Sequence, residues 1–124
     1  MSGGNVLVEK SFSFAIQIVT VYKILTQEYK EYVLSKQLLR SGTAIGALIR
    51  EAQNAESKAD FVHKLAISQK ECDETIYWID LLNATNYLKE SDYKLLHDGA
   101  SELLRILRSS IITTKQRMKK PVNL

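Results

Sequence analysis

Residues that break helices or cross-link chains are scarce in this sequence. Its 124 residues include one proline, five glycines and one cysteine, Cys72. A single cysteine excludes an internal disulfide and a thiolate metal cage, and it fits a reducing compartment. The scarcity of proline and glycine favours helices, and a chain of this length is expected to form one domain around one core.

Long apolar runs are also missing. A membrane-spanning helix needs about 18 or more consecutive apolar residues. The most apolar early stretch, Phe12 to Val21, is interrupted by Ser13, Gln17 and Thr20. The charged start and small-residue cleavage site of a signal peptide are missing too. We therefore expect a cytoplasmic protein without a membrane partner.

Acidic residues are absent from one end of the chain. The net charge is +3, yet residues 105–124 carry +6 and residues 1–104 carry −3. The basic residues of this segment are Arg105, Arg108, Lys115, Arg117, Lys119 and Lys120. A basic end on a mildly acidic body is a candidate contact for nucleic-acid phosphates. The alternative is that these side chains complement the negative C-terminal end of a last helix.

Apolar residues recur at helical spacing in four segments. The predicted helices cover about 11–26, 33–55, 58–82 and 91–115. Ser11 and Ser91 are expected N-caps, and Ser57 with Asp60 resembles a capping box. The short connections predict an all-α, antiparallel up-down-up-down four-helix bundle over residues 11–117, with tails at 1–10 and 118–124.

Two glycines lie inside the second predicted helix. Gly42 and Gly46 each cost about 1 kcal/mol relative to alanine. A close crossing, in which the missing side chains let another helix approach, is the favoured explanation. A kink is the alternative.

The residues that metal and nucleophilic catalysis would need are poorly placed. Di-iron bundles use paired Glu-x-x-His motifs, but neither His63 nor His97 follows a glutamate at that offset. Cys72 lies on the apolar seam of the third helix, where a thiol acts as a core filler. The Ser-x-x-Lys pattern of Ser91 and Lys94 is short, and Ser91 already has a capping role. We expect neither an enzyme nor a metal or cofactor site.

Polar residues on the second and third helices suggest a structural network. The set comprises Gln37, Arg40, Glu51, Lys64, Lys70, Glu71 and Glu74. Glu71 and Glu74 flank seam positions, so at least one is expected to be partly buried, with Arg40 as its partner between helices two and three. Ordinary solvated faces are the alternative.

One long pattern resembles a known family. It consists of Gln37–Ala52, Ala55–Phe61, Lys64–Ile67, Lys70–Glu71, Glu74 and Tyr77–Trp78. The pattern is similar to the four-helix-bundle proteins encoded in intervening sequences of bacterial large-subunit ribosomal RNA genes, over about residues 10–115. The resemblance implies the bundle fold, no known enzymatic activity and a role connected with RNA. Ala44 and Leu48 stand where the family commonly has Ser and Asn.

A related branch, the accessory proteins of diversity-generating retroelements, forms basic pentameric barrels that bind nucleic acid and a reverse transcriptase. This similarity implies a homo-oligomer, with a pentamer as one form. Two functions stay open at this point. One is a self-assembling protein that contacts RNA through the six basic residues of segment 105–124, and the other is a module that binds another protein and has no nucleic-acid role.

Overall fold

Four helices make up nearly all of the part of the chain that the structure describes. The structure is a computed structural model that describes the backbone of residues 3–119 and the side chains of residues 6–119. The helices are α1 (Gly3–Gln27), α2 (Leu34–Gln53), α3 (Lys58–Ala84) and α4 (Glu90–Met118). Each helix packs on its chain neighbours, and α4 also packs on α1 to close the bundle. The predicted four-helix bundle is confirmed. None of the four described helices is long and apolar enough to cross a membrane.

Buried residues recur every three or four positions along α3 and α4, as the helical spacing of apolar residues predicts. The buried residues of these two helices are Leu65, Ser68, Cys72, Thr75, Ile79, Leu82, Leu96, Ala100, Leu103, Leu107 and Ile111. Buried hydroxyls on α3 are paired: Ser68 donates to the carbonyl oxygen of Ile45 at 3.0 Å, and Thr75 donates to that of Glu71 at 2.7 Å. Polar atoms in the seam are therefore satisfied and do not weaken the packing.

The prediction of an N-terminal tail ending in an N-cap at Ser11 was wrong. α1 begins at Gly3, and Leu7 is fully buried in the core. Ser11 lies inside the helix, where it is 1% exposed and its hydroxyl donates to the carbonyl oxygen of Val8. Burial of Leu7 supplies free energy that offsets the poor helix propensity of the glycines at the start.

The helix starts of α3 and α4 differ in how they are capped. The capping role of Ser57 is confirmed, because its side chain accepts the amide hydrogen of Asp60 at 3.0 Å. The predicted N-cap at Ser91 was wrong, since α4 begins one residue earlier, at Glu90. Two acids in that first turn, Glu90 and Asp92, complement the positive end of the helix dipole and make a hydroxyl cap unnecessary.

The start of α2 is capped by Glu31, a residue that the helical spacing of apolar residues places in the connection before the helix. The carboxylate of Glu31 accepts the amide hydrogens of Leu34 at 2.9 Å and Ser35 at 2.7 Å. The first turn of α2 is thereby fixed by a side chain that lies before the helix.

The glycines of α2 mark a close crossing with α1. A Cβ atom on Gly42 would lie 2.8 Å from both Cγ1 and Cδ1 of Ile18. One on Gly46 would lie 3.4 Å from the backbone oxygen of Ser11. The favoured explanation is confirmed, because the missing side chains let Ile18 and the α1 backbone rest directly on α2.

Candidate nucleic-acid interface and polar network

An ion-pair cluster joins α2 to α3. Arg40 on α2 donates from Nη1 to Oε1 of Glu71 at 3.3 Å and from Nη2 to Oε2 of Glu74. The indole nitrogen of Trp78 donates to the same Glu74 oxygen at 3.1 Å. Glu71 and Glu74 lie one turn apart on α3, so a single guanidinium reaches both carboxylates. The structure thus joins the three charged residues that the sequence grouped together.

The cluster lies at the surface. The side chain of Glu71 is 22% exposed, that of Glu74 is 38% exposed, and that of Arg40 is 51% exposed. The hydrogen bond from Trp78 lowers the pKa of Glu74, partial burial opposes this shift, and Arg40 lowers the pKa further. Arg40 therefore bridges two carboxylates of α3 at the surface and links α2 to α3.

Replacing Arg40 with alanine is expected to lower the free energy of unfolding by less than about 1 kcal/mol. The reason is that exposed ion pairs contribute little once solvent screens them. Chemical denaturation of the variant beside Lys64→Ala, which removes another exposed pair, checks the value. A loss near 3 kcal/mol for Arg40→Ala alone would mean that a carboxylate is stranded in a buried environment.

The other predicted members of the network lie apart from the cluster of Arg40, Glu71 and Glu74. Nζ of Lys64 lies 3.1 Å from Oε1 of Glu51, so this pair links the start of α3 to the end of α2. Gln37 is half-buried and Lys70 is exposed. Within residues 6–119, neither of these two side chains takes part in an ion pair or a side-chain hydrogen bond. The predicted network therefore consists of two separate groups of ion pairs between α2 and α3, with Gln37 and Lys70 outside both groups.

Basic side chains recur along about the last four turns of α4 and at the residue that follows it. Arg105, Arg108, Lys115, Arg117 and Lys119 are all exposed. At about 100° per residue, Arg105, Arg108 and Lys115 share a sector of about 80°, and Arg117 points more than 100° away from each of them. Lys120, the sixth predicted contact, lies outside the described residues.

Acidic neighbours reduce the positive potential around one of these residues. Arg105 lines a shallow surface groove together with Asp98 and Glu102. Beyond Glu102 the chain has no acidic residue. The strongest candidates for phosphate contacts are therefore the basic residues of the later part of the segment, Arg108, Lys115, Arg117 and Lys119, which we call the basic end of α4. Arg117 lies on a different side of the helix from Arg108 and Lys115.

A second polar cluster, which the sequence did not reveal, joins α3 to α4. Tyr93 donates its hydroxyl to Oδ1 of Asp80 at 2.9 Å, and Nε2 of His97 lies 3.8 Å from the same oxygen. Oγ of Ser101 lies 3.5 Å from Nδ1 of His97. The spacing of Tyr93, His97 and Ser101 by four residues on α4 was visible, but the position of Asp80 on the facing helix was not.

This cluster has the residue types of a catalytic triad without its geometry. An activated serine needs hydrogen bonds of about 2.6–3.2 Å to its base and from its base to the carboxylate, and both distances here exceed that range. The shortest bond in the cluster goes from Tyr93 to Asp80, so the carboxylate serves the tyrosine. We interpret the cluster as a helix-to-helix contact.

The two histidines and the cysteine differ in exposure. His63 is exposed on α3. Cys72 is fully buried, and its thiol donates to the carbonyl oxygen of Ala100 at 3.2 Å. Burial raises the pKa of Cys72 to about 12, the charge of Asp73 adds to the shift, and Arg108 opposes it. In residues 6–119, no three His, Cys, Asp or Glu side chains are grouped so that they could hold a metal ion.

Comparison with known proteins places the chain in a family. A crystal structure of a protein with unknown function, from the S23 ribosomal protein family of Bacteroides thetaiotaomicron, is 48% identical in sequence and superimposes with a TM-score of 0.86. The match covers 89% of this chain and 98% of that one. No curated protein matches the sequence. The family model of the 23S rRNA-intervening sequence protein matches residues 5–109. The chain therefore belongs to the 23S rRNA-intervening sequence protein family.

Proposed function

We propose that this chain is a non-catalytic bundle protein that assembles with itself and binds RNA weakly through the basic end of α4. The observation that carries the nucleic-acid part is the run of exposed Arg108, Lys115, Arg117 and Lys119 in a segment without acidic residues. Phosphate neutralisation by such side chains supplies most of the affinity in sequence-independent binding. The same role implies a cytoplasmic location.

The expected binding is weak and sensitive to salt, since few basic side chains are involved and the net charge of the chain is only +3. Lys115 and Arg117 lie in the last turn of α4, where they also stabilise the helix by complementing its dipole. A flexible lysine or arginine serves both purposes, because its charged group projects into solvent. Little sequence preference is expected, since phosphate contacts do not read bases.

A non-catalytic role is supported by how the reactive groups are used. The thiol of Cys72 stays protonated in the core, and the carboxylate of Asp80 is bonded to Tyr93. Both groups contact the facing helix, since the thiol of Cys72 donates to Ala100 of α4 and Asp80 of α3 accepts from Tyr93 of α4.

A module that binds another protein, without a nucleic-acid role, is the second candidate function. It is favoured by one observation, the exposed apolar residues on the outer side of α1, with Phe12 58% and Ile16 55% exposed. Large apolar side chains that lie exposed together on one face of a helix often mark a contact surface for another protein.

Changing Lys115, Arg117, Lys119 and Lys120 to glutamine is expected to reduce the slope of log affinity against log salt by about 3 to 4, if all four touch duplex phosphates. Titrations against RNA and duplex DNA at several salt concentrations measure the slope. A matched control carries glutamine at four exposed lysines elsewhere, Lys36, Lys70, Lys89 and Lys94. It has the same net charge as the first variant.

The comparison separates the possible outcomes. An equal loss in both variants would mean that net charge governs the binding and that α4 is not the site. An unchanged slope in the first variant would place the site elsewhere. If the wild-type protein fails to bind even at about 50 mM salt, the nucleic-acid hypothesis fails and the protein-binding function takes its place.

A further inference from the structure

The last turns of α4 extend beyond the start of α1. Lys10 pairs with Glu102, and Phe14 packs against Gly99, so the two helices run in opposite directions. α1 begins at Gly3, seven residues before Lys10. Because both helices rise equally per residue, no described part of α1 lies beside α4 beyond about residue 109. The later residues of α4 are therefore open on the side where α1 would otherwise pack.

Two large apolar side chains are exposed on this part of α4. Ile112 is 56% exposed and Met118 is 46% exposed. They lie beside basic residues: Arg108, Lys115 and Lys119 are within about 40° of one another around the helix, and we call these three residues the basic stripe. Ile112 lies about 20° beyond one edge of the stripe, and Met118 lies about 60° beyond the other. The basic stripe therefore has an apolar side chain on each side.

This order of side chains suits an extended polyanion better than a flat surface. A helix that lies on a membrane has a continuous apolar face with basic residues at its borders. On α4 the basic residues are in the middle, along about 16 Å of the helix, and the apolar residues are at the borders. A phosphate backbone that follows the basic stripe would have its bases beside Ile112 and Met118.

Only unpaired bases can use the two apolar side chains. In a duplex the base faces are stacked on each other, and the deep, narrow major groove of double-stranded RNA keeps side chains away from the base edges. In a single strand the base faces are free to pack against protein side chains. Met118 suits such contacts, because an unbranched side chain adapts to bases of different shape.

We infer that this end of α4 binds single-stranded RNA, with the basic stripe on the phosphates and with Ile112 and Met118 on unpaired bases. The inference rests on the proposed function and names the form of RNA that the basic end of α4 recognises. Charge alone gives the opposite preference, because a duplex has a higher charge density and releases more counterions per contact than a single strand does. A preference for single strands therefore reports contacts with bases.

An RNA strand of about 16 nucleotides that cannot pair with itself is expected to bind about tenfold more tightly than the same strand annealed to its complement. Inorganic polyphosphate, which has no bases, is expected to bind about as weakly as the duplex. Fluorescence anisotropy with the labelled strand, and competition by the unlabelled duplex and by polyphosphate at one salt concentration, give the three affinities of the whole chain.

Removal of the apolar side chains has a matched control. Ile112→Ser with Met118→Ser is expected to weaken binding of the single strand about tenfold and to leave duplex binding and the salt slope unchanged. The control carries serine at Val33 and Leu95, which are 72% and 49% exposed away from the basic end of α4, and it is expected to bind as the wild type does. All four side chains are exposed, so neither variant disturbs the core, and circular dichroism verifies the helicity.

The results distinguish this inference from the proposed function. If neither form of RNA binds, both fail. If the duplex binds as tightly as the single strand, or if the serine variant weakens the binding of both equally, RNA binding stands and the base contacts are wrong. A lower mass of the serine variant in light scattering would assign the two side chains to a contact between copies. Binding to phosphatidylglycerol vesicles that is lost in the serine variant, without a change in binding of the single strand, would assign them to a lipid surface. Either result would overturn the inference.

Discussion

Replacing Gly42 with valine is expected to lower the free energy of unfolding by about 3 kcal/mol, the upper part of the range for overpacked cores. Ile18 is fully buried, and three of its carbon atoms lie within 2.8–3.0 Å of the position that a Cβ atom on Gly42 would take. Valine adds two methyl groups beyond that atom. α1 and α2 would have to separate, which would reduce the burial of apolar residues of α1 such as Phe14, Ile18 and Val21.

Two further variants identify the cause. Gly42→Ala is expected to lose roughly 1–2 kcal/mol, because the clash is partly offset by the gain of about 1 kcal/mol in helix propensity. Gly46→Ala should lose less, since its nearest contact is 3.3 Å away at Oγ of Ser11. The double variant Ile18→Ala with Gly42→Ala should lose less stability than the two single variants lose in sum. The reason is that Ile18→Ala removes the atoms that would clash with the new Cβ atom at position 42. Denaturant titrations would contradict the close crossing if Gly42→Ala were stabilising.

The bundle could be predicted because its seams are long and regular. The buried positions from Leu65 to Leu82 keep steps of three and four residues through five intervals. A pattern of that length identifies a single face of the helix as the buried one. The start of α1 was missed for the opposite reason. One residue, Leu7, continues the buried stripe of α1 before Ser11. A serine at position 11 resembles an N-cap when the buried residue before it is not recognised.

Side-chain clusters between helices were predictable only in part. Arg40, Glu71 and Glu74 could be grouped because charge and seam position both restrict them, but their exposure depends on how far each helix rotates about its axis. The contact between Asp80 and Tyr93 depends on the same rotation and on the register of α4 against α3. Periodicity gives the buried face of a helix and leaves the register between two helices undetermined.

The two parts of the proposed function, self-assembly and RNA binding, depend on different physical forces. Self-assembly through exposed apolar side chains such as Phe12 and Ile16 would be driven by apolar area and little affected by salt, whereas phosphate contacts at the basic end of α4 weaken steeply as salt rises. Assembly would also raise the number of basic ends in one particle, so weak contacts would act together on one RNA. Salt and protein concentration therefore separate the two activities in one preparation.

A pH-dependent loss of stability is expected from Cys72, amounting to about 2 kcal/mol between pH 8.5 and pH 10.5. Burial raises the pKa of the Cys72 thiol to about 12 in the folded protein, with a smaller contribution from Asp73. A cysteine in an unfolded chain titrates near pH 8.5. Between these two values the unfolded state releases a proton that the folded state keeps, so unfolding becomes more favourable as the pH rises. The full contribution is present below about pH 8.5, and it decreases by about 1.4 kcal/mol for each pH unit above it.

The substitution Cys72→Ala isolates this effect from the titration of tyrosines and lysines, which both proteins share. At pH 7.5 the wild type should be the more stable protein, because alanine leaves a small cavity beside Ala100. As the pH rises, the difference between the two free energies of unfolding should shrink and then change sign. Denaturant titrations with reducing agent present, at several pH values from 7.5 to 10.5, give the difference directly. A difference that stays constant over this range would mean that the thiol can ionise in the folded state. The rate of thiol labelling provides an independent reading, since at pH 8 the folded protein should react more than about 10³-fold more slowly than the unfolded chain, in proportion to the thiolate fraction.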